Sequence, residues 1–517
     1  MNFTVKIIFV TSLMMPLLYG YANAVSLEEL TVKEAQRMMV NGDLSSEQLT
    51  QYYLDRIEDL DKAGAKLNAV GQINRHAIAD AKKLDIERQQ GHVRSSLHGI
   101  PVLIKDNIDT GDGMATTAGS FALQHNYPEQ DAFVIKQLRQ AGAVILGKTN
   151  LSEWANARST HSSAGWSALY GQSKNPYDLT RSPCGSSSGS AIGVAADFTL
   201  LSVGTETDGS LICPGSFNGV VAIKPSLGLV SRSGIIPIAH SFDTPGPLAR
   251  TVTDAVLLLQ VMVAEDEDDA ESVNRPVDYM QHLIKNGLEG KRIGIASNLL
   301  KSDRLVEDIF IRQVNTLREL GAIVVDSPLV KTGKDWNADK RKVFLMEFKT
   351  DLGNYLRKHN IKNIQSLADV IAFNLKNTDR EMKYFAQEIL ELAQATQGTS
   401  DKNYQKLLLR VKRLSGKEGI DATLAKYELD LLISPSLAGP APSIDLIYGG
   451  GSIGGSSSGP AAIAGYPHIT VPMGQVHGMP VGLSFFGSKY TEGILIEAAF
   501  AFEQATKARK KPQVVSF

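Results

Sequence analysis

A chain of 517 residues, 43% of them hydrophobic and 21% charged, sits in the ordinary globular range and can bury a large core. Its 53 basic and 55 acidic residues leave a formal charge of −2 with no long run of one sign, which excludes an electrostatic grip on nucleic acid or on an anionic membrane. A small neutral substrate suits that balance.

The N-terminus carries Lys6, an apolar run from Ile7 to Leu18 and then Ala22-Asn23-Ala24, the order of a secretory signal with its small-residue cleavage site. Pro16 breaks the run, which is shorter than the ~20 residues of a bilayer span. Residues 1–24 are therefore expected to be cleaved, leaving residues 25–517 as one domain in the periplasm or outside the cell, free of the membrane. No Cys follows the cleavage site to take a lipid anchor.

Downstream, Ser45 and Gln48 have capping-box spacing, and Leu49, Tyr53, Leu54 and Ile57 share one helical face, which predicts an amphipathic helix. Short apolar runs at Val102–Ile104, Ala143–Leu146, Ile293–Ile295, Ile323–Val325 and Leu431–Ile433 are bounded by Gly, Pro or Asp, as buried strands are. Helical patterns lie between them. The alternation predicts an α/β fold, with a largely buried central sheet covered by helices on both faces. From about Lys331 to Lys426 the chain turns charged and Gly-poor with helical periodicity, a helical insertion that either covers the sheet or caps a substrate pocket. Gly449 to Gly459, GGGSIGGSSSG, reads as a mobile loop. There is no tandem repeat.

Cys184 and Cys213 are too few for a disulfide framework and lack the spacing and His partners of a zinc site. They read as two small buried side chains packing near a site, although an oxidising compartment would let them pair. None of the ten His lies in HExxH, so a zinc hydrolase is unsupported and no metal is expected.

Three segments carry chemistry: GIPVLIKDNID ending at Asp109, SPCGSSSGSA from Ser182 and GTETDGSLICPG from Gly204. A Gly/Ser-rich turn lets backbone N–H groups converge on one point, where a serine can attack a carbonyl whose oxygen they receive. Lys105 follows three apolar residues of a buried strand. Either it reaches water at the strand end, or burial lowers its pKa and makes it a base toward a serine. Gly185 to Gly189 and Gly455 to Gly459 both satisfy the GxSxG elbow, but neither follows a strand, which that motif requires.

The GxPVxxK strand, the GSS turn and the later GS turn, in this order, resemble the amidase signature family. The resemblance extends over nearly the whole chain, including the stretch from Ile223 to Ala255 and the segments beginning at Ala464 and Pro480. It implies a mixed central sheet and an amide hydrolase without cofactor, in which Ser210 is the nucleophile, Ser186, following a cis peptide bond, is the bridge, and Lys105 is the base. Backbone N–H groups near Thr207, Asp208 and Gly209 would hold the oxyanion. Where many members have GG before the nucleophile and Arg two residues after it, this chain has Asp208-Gly209 and Ile212. TETDGS followed by Cys213-Pro214, with PCGSSSGSA upstream, instead resembles the branch that removes the C-terminal amide of peptides. The alternatives are a broad amidase of aryl or alkyl amides, an amidotransferase A-type subunit, which the export signal opposes, and an exported binding protein. Nothing in the sequence indicates an oligomeric state.

Overall fold

The computed structural model describes residues 26–299, 301–326, 328–449 and 455–513. The proposed signal, residues 1–24, and the middle of the glycine-rich stretch lie outside them.

Strands β1 (Val70–Ile73), β2 (Pro101–Lys105) and β3 (Val144–Thr149) are followed by a small hairpin of β4 (Trp166–Ser167) and β5 (Gly171–Gln172). Then come β6 (Leu201–Glu206), β7 (Val221–Lys224), β8 (Thr244–Ala249), β9 (Arg292–Ile295), β10 (Ile323–Val325), β11 (Leu431–Pro435), β12 (His468–Val476) and β13 (Met479–Phe486). Apart from the hairpin they form one mixed sheet of eleven strands, ordered β1-β3-β2-β6-β8-β7-β12-β13-β11-β9-β10. All five apolar runs fall on strands of this sheet, with Ala143 standing just before its strand. β2 runs parallel to both β3 and β6, and Ile104 registers with Val203. The carboxyl ends of β2 and β6 therefore lie side by side, so that Lys105 neighbours the turn that follows Glu206.

Alternation along a strand sends successive side chains to opposite faces. Leu248 of β8 packs with Ala191, Val194 and Leu211, which seats helix Ser188–Ala195 on one face. Ala249 joins the main core with Val252, Leu258 and Leu259 of helix Val252–Met262 on the other. Helices thus cover both faces, as the sequence predicts. Helix Ser46–Arg56 begins with the Ser45/Gln48 capping box and buries Leu49 and Tyr53, while Leu54 is only half-buried.

Between β10 and β11 the chain forms helices Asn337–Lys358, Leu367–Lys376, Glu388–Gln394 and Tyr404–Ser415. Their apolar faces pack in two clusters with Trp154, Ile236, Ile238 and Phe242, which ties this helical segment to the rim above β2 and β6. Among the described residues, no helix is long and apolar enough to cross a membrane.

Candidate active site

Lys105 is completely buried at the end of β2, so the alternative of a strand-end lysine in water does not hold. Its Nζ lies 2.7 Å from Ser186 Oγ, 2.8 Å from Thr205 Oγ1 and 3.2 Å from the Thr205 carbonyl. Burial lowers its pKa to about 7, against the opposing pull of Asp243 and Glu206. Ser186 follows a cis Gly185–Ser186 bond. Gly185 is required here, because a Cβ would sit 2.0 Å from Ser152 Oγ.

Ser210 lies on the turn that leaves β6. Glu206, the last residue of that strand, folds back to accept the N–H groups of Leu211 (2.7 Å) and Ile212 (3.1 Å), and the Gly209 N–H also turns toward it. Burial raises the Glu206 carboxyl, while Lys224 and these N–H groups oppose the rise. Gly209 has φ +86°, and an added Cβ would meet Ser458 Oγ at 3.0 Å. Its carbonyl accepts the Cys213 N–H (2.8 Å), and the Ser210 carbonyl accepts the Ser187 N–H (3.2 Å), so the two serine-rich turns are joined backbone to backbone. The N–H groups of Thr207, Asp208 and Ser210 find no acceptor among the described residues. Thr207 Oγ1 donates to Asp243, whose carboxyl burial lifts to about 6.

Cys184 and Cys213 form a disulfide with Cα atoms 5.9 Å apart. This corrects the expectation of two unpaired, merely packing cysteines. Topology is the reason: Cys184 precedes Ser186 by two residues, Cys213 follows Ser210 by three, and the joined turns bring the pair into contact.

Ser210, Gly209, Asp208, Thr207 and the disulfide line a cavity of about 670 Å³. Its far wall comes from the helical segment through Asn337, Lys340, Arg341 and Phe344, so these helices shape the pocket as well as covering the sheet. Lys340 Nζ donates to Asp208 Oδ2 at 2.7 Å and Ser458 Oγ to Oδ1 at 2.8 Å. Asp208 is set deep among protein atoms yet keeps 28% of its side chain open to the cavity. Enclosure pushes its carboxyl up, but Lys340 and Ser458 outweigh that and hold it below the usual carboxylate range.

Neither elbow serine is free to attack. Ser187 is fully buried, with its hydroxyl donating to the Thr205 carbonyl (2.9 Å). Ser457 is equally buried, with its hydroxyl donating to Ser484 Oγ (3.1 Å). His240, Glu347 and Asp351 bring possible metal-ligand atoms within 4.8 Å of one another. They are already engaged: Asp351 with His240 (2.8 Å), and Glu347 with Ser241 (2.6 Å) and Tyr404 (2.7 Å). Thr205 and Glu206 stand inside the GTETDGS motif, which gave only their neighbourhood. Lys340 carries no signal of its own in sequence, because the fold alone brings it to Asp208, 132 residues away.

A mixed sheet whose strand ends hold a buried lysine against one serine, with a second serine on the floor of a cavity, frames the candidate site. Residues 48–496 match the family model described as Amidase. The chain belongs to this amidase family and is an amide hydrolase. It is similar to the native peptide amidase from Stenotrophomonas maltophilia, with a TM-score of 0.90 and 46% identity over 94% of this chain and 99% of that one. An amidase family protein from Bacillus anthracis superposes with a TM-score of 0.86 at 38% identity, covering 94% of this chain and 92% of the other. A probable amidase of Arabidopsis thaliana is 40% identical, over 95% of this chain and 93% of its own length.

Proposed function

We propose that this amidase removes the C-terminal amide of peptides, giving the free acid and ammonia, with Ser210 as nucleophile, Ser186 as bridge and Lys105 as base. The contact of Lys105 Nζ with Ser186 Oγ at 2.7 Å, wholly buried beside the Ser210 turn, carries the reading. In the neutral amine one N–H goes to the Thr205 carbonyl, which can only accept, and another to Thr205 Oγ1. The lone pair is left for the Ser186 hydroxyl proton. Ser210 Oγ attacks the amide carbon as its proton moves to Ser186 and the Ser186 proton to Lys105. The oxyanion is received by the unengaged N–H groups of the turn from Thr207 to Ser210. The C–N bond then breaks as the proton returns through Ser186 to the nitrogen, which leaves as ammonia. Water delivers a proton to the same relay, attacks the acyl–Ser210 ester and frees the acid.

The peptide assignment draws on the 46% identity to a peptide amidase and on a cavity of about 670 Å³, within the range of small-ligand sites. Export by residues 1–24 belongs to the same proposal and agrees with a disulfide at the site. The test compares kcat/KM for a dipeptide amide, its free-acid control and an aryl amide. A clear preference for the dipeptide amide is expected, and equal or better rates on the aryl amide would leave only a general amidase.

A further inference from the structure

Asn337, Lys340, Arg341 and Phe344 of helix Asn337–Lys358 face the cavity, the i, i+3, i+4 and i+7 positions of one helical stripe. Asp208, Lys340 and Arg341 are the charged residues of the described lining. Two of them cancel, since Lys340 and Asp208 form an ion pair at 2.7 Å. Arg341 is exposed to the cavity and has no ion-pair partner among the described residues. The segment 450–454, GGSIG, contains no acidic residue.

We propose that Arg341 is a specificity-determining residue that receives a carboxylate on the acyl side of the substrate, so that the preferred class is acidic peptide amides, with Asp or Glu at the amidated residue or the one before it. The inference rests on the reading of this cavity as a peptide amide site. The scissile carboxamide is neutral and meets the neutralised end of the cavity, where Asp208 is paired. The uncompensated charge of Arg341 lines the same cavity, where it pairs with an anion that the amide itself does not supply. A guanidinium offers a carboxylate two parallel N–H donors, which fixes orientation as well as charge.

Acetyl-Glu-Ala-amide and acetyl-Ala-Glu-amide, each compared with its Gln counterpart, isolate the charge at nearly constant shape. At one of the two positions wild type should favour Glu by about three- to five-fold in kcat/KM, the scale of a partly exposed ion pair. The Glu/Gln ratio should shrink in 0.5 M NaCl, approach one in Arg341→Gln, invert in Arg341→Glu and survive in part in Arg341→Lys. Circular dichroism on each variant separates loss of fold from loss of preference. A ratio of one or less at both positions in wild type, or one that persists in Arg341→Gln, would overturn the proposal while leaving the peptide amidase reading intact. Absence of ammonia from all four peptides would instead overturn that reading.

Discussion

At the scale of single residues, Lys105 and Ser187 separate two nucleophile assignments. Lys105 has its pKa lowered to about 7 by burial, so it is an ammonium below that pH and a free base above it. kcat/KM should climb as pH rises through about 7 and level off above, because only the free amine accepts the Ser186 proton. A profile flat down to about pH 4 would remove a lysine base. The Ser187 hydroxyl is spent on the Thr205 carbonyl at 2.9 Å. Ser187→Ala should therefore keep fluorophosphonate labelling and lower stability by about 1 kcal/mol, read from a denaturant melt; loss of labelling with the fold retained would favour the elbow. As candidates, Lys105, Ser186 and Ser210 were legible because their motifs are local and arrive in order. The states of these residues were not, because whether a strand-end lysine meets water or a hydroxyl depends on β6 and on the turn around Ser186, which only the folded sheet brings alongside.

At the scale of elements, two tethers hold the catalytic turns. The disulfide joins the loop before helix Ser188–Ala195 to helix Ile212–Phe217, 29 residues apart in sequence. Reduction or Cys213→Ser should cost about 3 kcal/mol in a denaturant melt, whereas an unchanged midpoint would make the bond dispensable. Pairing was not legible because β6 and both turns separate the two cysteines along the chain. The second tether is Lys340 on Asp208, reaching from the helical segment to the nucleophile turn. Lys340→Met leaves the Asp208 carboxylate without its cation beside the N–H groups proposed to receive the oxyanion. kcat should then fall about tenfold with little change in KM, and Lys340→Arg should restore most of it. A rise in KM alone would mean that Lys340 only shapes the pocket. The helical periodicity from 331 to 426 announced these helices, but their placement over the cavity follows from Trp154, Ile238 and Phe242, which the same periodicity does not reveal.

At the scale of the whole molecule, the eleven-stranded sheet sets β2 beside β6, and the chemistry follows from what stands at their shared ends. A buried sheet with two covered faces was legible from apolar runs alternating with helical patterns. Strand order was not, because local pattern carries no record of which strands pair. Protein isolated from its native host should begin at Val25, as determined by N-terminal sequencing, and an intact Met1 would contradict cleavage. The most direct measurement is ammonia release from an acetyl-dipeptide amide by purified wild type and by Ser210→Ala, with circular dichroism confirming that both are folded. One ammonia per peptide acid from wild type and none above background from Ser210→Ala is the expected result; full turnover by folded Ser210→Ala would contradict the assignment of the nucleophile.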